Sequence, residues 1–112
     1  MRMDLQQDGD VVVVTPREDR LDACTASDFK SRLIDCIEAG DRRFVVDLGS
    51  VSFVDSSGLG ALVAVMKRLG LDGDLVLCGA GEGVLRMLRT SRMDRIFAIV
   101  PARDEALSSL RD

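Results

Sequence analysis

The sequence predicts an α/β domain with a mixed, mostly parallel sheet, in the order β-β-α-β-α-β-α-β-α. Short apolar or β-branched runs alternate along the chain with longer segments whose apolar residues recur at the helical period. Such alternation is typical of strands joined by crossover helices, and therefore of parallel pairing. The exception is Asp8-Gly9, which lies between two strand-like segments and predicts an antiparallel hairpin. A length of 112 residues fits one domain, residues 1–112.

Composition narrows the functions to consider. The net charge is −4 and neither Trp nor Tyr occurs, so the basic or aromatic surface of a nucleic-acid binder is not expected. The chain has no His, and its three cysteines form no CxxC pair, which argues against zinc sites and His-dependent catalytic pairs. A P-loop and other catalytic motifs are also missing. We therefore expect no enzymatic activity, no cofactor and no metal.

The apolar pattern predicts a location. No apolar run approaches the ~20 residues that a membrane span needs. The first ten residues, MRMDLQQDGD, lack the apolar core of a secretory signal. We therefore expect a cytoplasmic protein that does not enter the membrane. In a reducing compartment Cys24, Cys36 and Cys78 are expected to be free thiols, buried as small core residues.

The first half of the chain is predicted to form the hairpin, a helix and a buried strand. Val11–Val14 shows no alternation, so we expect an inner strand covered on both faces. The charged tract Arg17–Arg20 is an expected surface loop. Thr25 is the candidate N-cap of a helix within Leu21–Gly40, and Gly40 is its stop. The apolar face of this helix is Ala26, Phe29, Leu33 and Ile37, and the next strand is Phe44–Leu48.

The second half continues the alternation. A turn over Gly70–Asp74 leads to a strand at Leu75–Cys78, and Gly79–Gly83 open a further helix. Arg95–Val100 is the expected last strand and Arg103–Leu110 a short terminal helix. The inward residues of the helix after Gly83 are expected to be Val84, Leu85 and Leu88. Four arginines spaced by threes (Arg86, Arg89, Arg92 and Arg95) fit either a solvated helix face or a patch for an acidic protein partner.

The stretch VSFVDSSGLG, residues 51–60, is the candidate functional segment. Its strand-like start ends at Asp55, and a helical stripe follows immediately. That stripe consists of Leu59, Leu62, Val63, Met66 and Leu69. Ser56 or Ser57 is a natural N-cap, and the N-terminus of a helix favours anions such as phosphate.

The longer run Asp47–Leu59, DLGSVSFVDSSGL, resembles the signature of STAS domains. This family includes anti-sigma-factor antagonists and the cytoplasmic domains of sulfate transporters. The resemblance implies that Ser56, the first serine after the aspartate, is the phosphorylated residue. It also implies that Asp55 orients Ser56, that Ser57 is the cap, and that Gly58 lets a partner's backbone approach closely. A second segment, LDACTASDF, resembles the family at the entry of its first helix and places Asp22 on the partner-facing side.

The implied function is that of an anti-sigma-factor antagonist in a partner-switching circuit. The unphosphorylated form would bind a serine kinase with the ATP-binding fold of histidine kinases, through Asp22, Asp55, Ser57, Gly58 and Leu59. This binding would free the client of the kinase, phosphorylation of Ser56 would end it, and a phosphatase would reset the serine. We expect a monomer, because no large apolar helix face is left for a dimer. The loop Arg17–Arg20 is more charged than is common in the family, so the client can differ.

Three alternative classes of protein share part of this pattern. A dinucleotide-binding unit is disfavoured because Gly58-Leu59-Gly60 lacks the third glycine of that fingerprint. A phosphoacceptor receiver domain needs a lysine at the end of the last strand, and the two lysines are Lys30 and Lys67. The third alternative is a STAS domain that serves as a non-switching scaffold or transporter accessory domain. Shared fold does not exclude it, because one fold hosts several roles.

Overall fold

The computed structural model describes residues 1–111, which form seven strands, four helices and two short 3₁₀ turns. The strands are β1 (Met3–Asp8), β2 (Val11–Pro16), β3 (Arg20–Leu21), β4 (Arg43–Asp47), β5 (Phe53–Val54), β6 (Asp74–Cys78) and β7 (Ala98–Val100). The helices are α1 (Ala26–Glu38), α2 (Ser56–Leu69), α3 (Glu82–Thr90) and α4 (Arg103–Leu110). The 3₁₀ turns are Gly70–Asp72 and Met93–Arg95.

The main sheet has five strands in the order β1-β2-β4-β6-β7. The β1–β2 hairpin is antiparallel, and every other neighbouring pair is parallel. The predicted fold class is therefore confirmed. The very short strands β3 and β5 pair with each other in a separate two-stranded sheet, which the sequence did not predict. This small sheet joins the segment before α1 to the segment before α2.

Two apolar cores lie on opposite faces of the main sheet. The larger core contains the inner faces of α1, α2 and α3, together with alternate strand residues such as Val12 and Val14. The smaller core contains Val11 and Val13 and is covered by α4. This division explains why Val11–Val14 lacks alternation: both of its faces are buried.

The position of α4 is fixed by a polar contact at the carboxyl ends of the strands. Arg103, the first residue of α4, lies with Nη2 2.9 Å from Asp47 Oδ2 and 2.9 Å from Thr15 Oγ1. Asp47 also accepts a hydrogen bond from Gly49 N–H at 2.9 Å. Cys78 is buried beside this cluster, and burial, reinforced by the Asp47 charge, raises the pKa of its thiol to about 11. Cys78 is therefore an unreactive core residue.

Several local expectations were wrong. The last strand begins at Ala98, because the preceding Met93–Arg95 forms a 3₁₀ turn. The hairpin loop is Gly9-Asp10, one residue later than predicted, because Asp8 pairs with Val11. Thr25 occupies the N-cap position of α1, but its hydroxyl donates to Arg20 O and accepts from Asp22 N–H instead of capping.

Burial also departs from expectation at three positions. Cys24 is exposed and Cys36 half-buried, so Cys78 alone of the three matches the expected core role. Leu85 is half-buried, whereas Val84 and Leu88 are buried as expected. No helix within residues 1–111 is long and apolar enough to cross a membrane.

Candidate functional site

The start of α2 is built around the Asp55 carboxylate. Asp55 has extended backbone angles (φ −100°, ψ −173°), and its Oδ1 accepts a hydrogen bond from Gly58 N–H at 3.0 Å. Asp55 is therefore the N-cap, and the expected cap at Ser56 or Ser57 was wrong. The physical reason is geometric: a cap residue lies outside the helix, and both serines lie within its first turn.

The same carboxylate connects two segments of the chain. Asp55 Oδ2 accepts from Ala23 N–H at 3.3 Å, and Asp55 N–H donates to Leu21 O at 3.2 Å. Within the described residues, the side chain of Asp55 makes no hydrogen bond to Ser56, which corrects the expectation that Asp55 orients this serine. Asp55 instead holds the loop before α1 against the start of α2.

Ser56 and Ser57 are both exposed. Among residues 1–111, the hydroxyl of neither serine forms a hydrogen bond with another protein group. Because Asp55 performs the capping, both hydroxyls are available to an incoming reagent or partner. Ser56 is the first residue of α2, so a group attached to it would lie beside the positive end of the helix dipole.

Gly58 has a different role from the one that the family resemblance implied. It is buried, and a Cβ atom at this position would lie 2.2 Å from Leu21 O and 2.9 Å from Val54 Cγ1. The close backbone approach is therefore within the chain, between α2 and β3, and not between the chain and a partner. Gly60, by contrast, is exposed, and a Cβ atom placed on it would have nothing within 4 Å.

Asp22 and Asp55 accept hydrogen bonds from adjacent backbone amides and therefore lie close together. Asp22 Oδ1 accepts from Cys24 N–H at 3.0 Å, whereas Asp55 accepts from the preceding amide, that of Ala23. Asp22 Oδ2 lies 3.0 Å from Arg20 Nε. The hydrogen bonds from the Arg20 side chain and from Cys24 N–H hold the pKa of Asp22 below its usual range. The structure thus brings together the two carboxylates that the sequence singled out.

Arg20 also connects the loop before α1 to β5. Its guanidinium lies over the ring of Phe53, 4.3 Å from the ring centroid. An arginine placed over an aromatic face gains a cation–π attraction. Through Arg20, the charged tract Arg17–Arg20 is therefore packed against the strand that leads into the candidate site.

A groove of about 310 Å³ lies between the first turns of α1 and α2. Apart from Lys30, its lining consists of small side chains: Ala23, Ala26, Ser27, Lys30, Ser57, Gly60 and Ala61. Ser57 lines the groove and Ser56 does not, so the structure distinguishes two serines that the sequence places side by side. Sequence reasoning missed Lys30 and Gly60; the available signal was the run of small residues at the start of α1.

Leu59, the remaining predicted partner residue, is half-buried and packs against the larger core. The buried stripe of α2 is Gly58, Ala61, Leu62, Val65 and Leu69. The predicted stripe was therefore rotated: Leu62 and Leu69 are buried as expected, whereas Val63 and Met66 are only partly covered. Leu59 keeps part of its surface accessible beside the two serines.

Fold and site together define a small α/β domain that presents two exposed serines at a helix start. The family model described as STAS domain matches residues 2–106 of this chain. The chain belongs to the STAS domain family. The predicted resemblance is confirmed on nearly its whole length.

Individual relatives agree with this assignment. BtrV of Bordetella bronchiseptica, provisionally named an anti-sigma factor antagonist, is 28% identical over 92 residues, which cover 81% of this chain and 79% of that protein. A Thermotoga maritima protein with the same provisional name is 30% identical over 104 residues, 91% of each chain. The crystal structure of an anti-sigma factor antagonist from Mycobacterium paratuberculosis superposes with a TM-score of 0.91 at 25% identity, covering 99% of this chain and 94% of that one.

Proposed function

We propose that this protein is an anti-sigma-factor antagonist of a partner-switching circuit, with Ser56 as its phosphorylation site. The observation that carries the proposal is the exposed, unbonded hydroxyl of Ser56 directly after the Asp55 cap. The names of the relatives support the same class of function. The partner would be a serine kinase with the ATP-binding fold of histidine kinases, and a phosphatase would remove the phosphate.

The unphosphorylated protein would bind this kinase through the surface around the start of α2. Asp22, Asp55, Ser57, Gly58 and Leu59 form or support that surface, although Gly58 supports it from within because it is buried. The groove beside Ser57 is open and lined by small side chains, so it can accept a partner side chain. Lys30 at the groove would favour a carboxylate there.

Phosphorylation would act by charge and not by refolding. A phosphoserine adds about −1.5 to −2 charge at neutral pH. At Ser56 this charge meets a favourable helix N-terminus, worth roughly 0.3–1 kcal/mol at an exposed position. Both oxygens of Asp55 are already held by backbone N–H groups, so this carboxylate stays in place next to the phosphate. A kinase surface complementary to a carboxylate and a neutral hydroxyl would have to accommodate the added dianion, at a cost of several kcal/mol.

The rest of the proposal concerns location and assembly. The protein would act in the cytoplasm as a monomer, without nucleic acid or cofactor, and as the substrate and binding partner of an enzyme. The competing function is that of a non-switching STAS scaffold or transporter accessory domain. Phosphate acceptance at Ser56 separates the two, because a scaffold has no need of it.

The test is phosphate transfer from the cognate kinase and ATP, followed by mass spectrometry of the modified peptide. We expect one phosphate, on Ser56. Ser56→Ala should abolish labelling, and Ser57→Ala is the matched control because it removes a neighbouring exposed hydroxyl and should retain labelling. Phosphate on Ser57 alone would overturn the site assignment, and no labelling of the unaltered chain would favour the scaffold.

A further inference from the structure

The arginines of this protein fall into two groups. Thirteen of the fifteen basic residues are arginine, since the lysines are Lys30 and Lys67. Within residues 1–111, seven arginines form ion pairs with carboxylates. Two more, Arg32 and Arg42, donate hydrogen bonds to backbone carbonyls. The four that have no such partner in this part of the chain are consecutive arginines: Arg86, Arg89, Arg92 and Arg95, here called the arginine cluster.

The arginine cluster extends along α3 and the turn after it. Arg86 and Arg89 are three residues apart on α3 and therefore project from neighbouring positions of one helix face. All four arginines are exposed. Glu82 lies four residues before Arg86, yet within the described chain it forms no ion pair with it. Ile96, directly after the cluster, is 47% exposed and adds an apolar side chain to this surface.

Arg92 adopts a backbone conformation that favours glycine. Its φ is +61°, and it is the one non-glycine residue with positive φ among residues 1–111. The residue after a helix C-terminus commonly adopts this left-handed conformation and is usually Gly or Asn. An arginine at this position makes the backbone less stable than a glycine would, which points to a function of the arginine side chain.

We propose that the arginine cluster and Ile96 form a docking surface for an acidic segment of a protein partner. Guanidinium groups free of internal carboxylates can form bidentate bonds with the carboxylates of another chain. Arginine is enriched in protein interfaces, and the exposed Ile96 adds an apolar contact beside the arginines. The proposal concerns a surface separate from Ser56 and does not depend on phosphorylation.

Charge distribution favours a protein over a nucleic acid or a membrane. The whole chain carries −4 and the cluster contributes four positive charges, so the rest of the chain carries −8. An extended polyanion that reached beyond the cluster would meet this excess of negative charge. The neighbouring aromatic residue, Phe97, is 3% exposed and therefore not available for stacking on a base. A short acidic protein segment can contact the cluster alone.

The test is an NMR titration of the isotope-labelled full chain with a synthetic glutamate-rich peptide at low salt. We expect saturable binding whose amide shifts are confined to residues 84–97. Oligothymidylate of equal charge and vesicles of phosphatidylcholine with phosphatidylserine are the comparison probes, and both should bind more weakly than the peptide. Tighter binding to either of them, absence of saturable peptide binding, or shifts spread over the whole surface would overturn the proposal.

Two double variants of equal net charge provide the matched control. Arg86→Gln with Arg89→Gln removes two free guanidiniums and should weaken peptide binding by about tenfold. Arg17→Gln with Arg68→Gln removes two exposed arginines that already have carboxylate partners, and should change binding by less than about twofold. Equal weakening by both variants would mean that bulk charge attracts the peptide and that the cluster is not a site.

Arg92→Gly tests the left-handed arginine separately. The substitution should weaken peptide binding several-fold while leaving the melting temperature unchanged or higher, because glycine relieves the backbone. Unchanged binding would show that the Arg92 side chain is not part of the surface. Ser56→Ala should bind the peptide as the unaltered chain does, so failure of this proposal and failure of the phosphorylation proposal are distinguishable.

Discussion

The start of α2 and the end of α3 use charged side chains in opposite ways. At the start of α2, Asp22 and Asp55 are held by backbone N–H groups, and the two serine hydroxyls are left free. At the end of α3, the four arginines are free and the backbone positions them. The first region is a fixed frame of carboxylates around the neutral hydroxyl of Ser56, whose charge phosphorylation would change. The second has permanent charge without an internal partner.

The largest expected effect tests the rigidity of the frame. Gly58→Ala places a methyl group against Leu21 O, which belongs to the backbone and cannot move aside without disturbing β3. We expect a loss of about 3 kcal/mol in the free energy of unfolding, at the upper end of the usual overpacking range. Urea-induced unfolding of the variant and the unaltered chain measures this loss in the free energy of unfolding.

Gly60→Ala is the control for this substitution, because the position is open. Replacing a helical glycine that has free space around it with alanine should raise the free energy of unfolding by roughly 0.5–1 kcal/mol. Equal stability of the two alanine variants would contradict the close packing of α2 on β3.

These two glycines also show how far the sequence alone could predict the site. The strand-to-helix switch at Asp55 and the apolar runs were enough to predict the fold class and the place where α2 begins. The glycine that lies inside the site could not be predicted, because Gly58 meets Leu21, which is distant in sequence and is brought near by the β3–β5 pairing. Periodicity carries no signal for a two-residue strand pair.

The same limit explains two other errors. Three positions near residue 55 have oxygen-bearing side chains suited to capping, and propensity alone ranks Ser and Asp about equally. The choice of Asp55 follows from its second hydrogen bond, to Ala23 in a distant loop. The apolar run Ile96–Val100 favours a strand from Arg95 onward, but the left-handed Arg92 precedes a 3₁₀ turn at Met93–Arg95, and the strand begins only at Ala98.

A smaller effect separates Asp55 from the serine that was expected to cap α2. Asp55→Ala removes acceptors for Gly58 N–H and Ala23 N–H and should lower the free energy of unfolding by about 1–2 kcal/mol. Ser57→Ala removes no hydrogen bond within the described residues and should change it by less than about 0.5 kcal/mol. Urea titrations of the two variants under one buffer decide between the caps. A larger loss for Ser57→Ala than for Asp55→Ala would restore the serine cap.

The central claim is that Ser56 is the variable group within this fixed frame. Isothermal calorimetry of the cognate kinase with the two forms of the protein, at one salt concentration and one nucleotide state, tests it most directly. Losing ~2.7 kcal/mol weakens binding about a hundredfold, and we expect at least that difference in favour of the unphosphorylated form, with superimposable backbones. Equal affinity of the kinase for both forms would contradict the switch and leave this STAS domain as a scaffold.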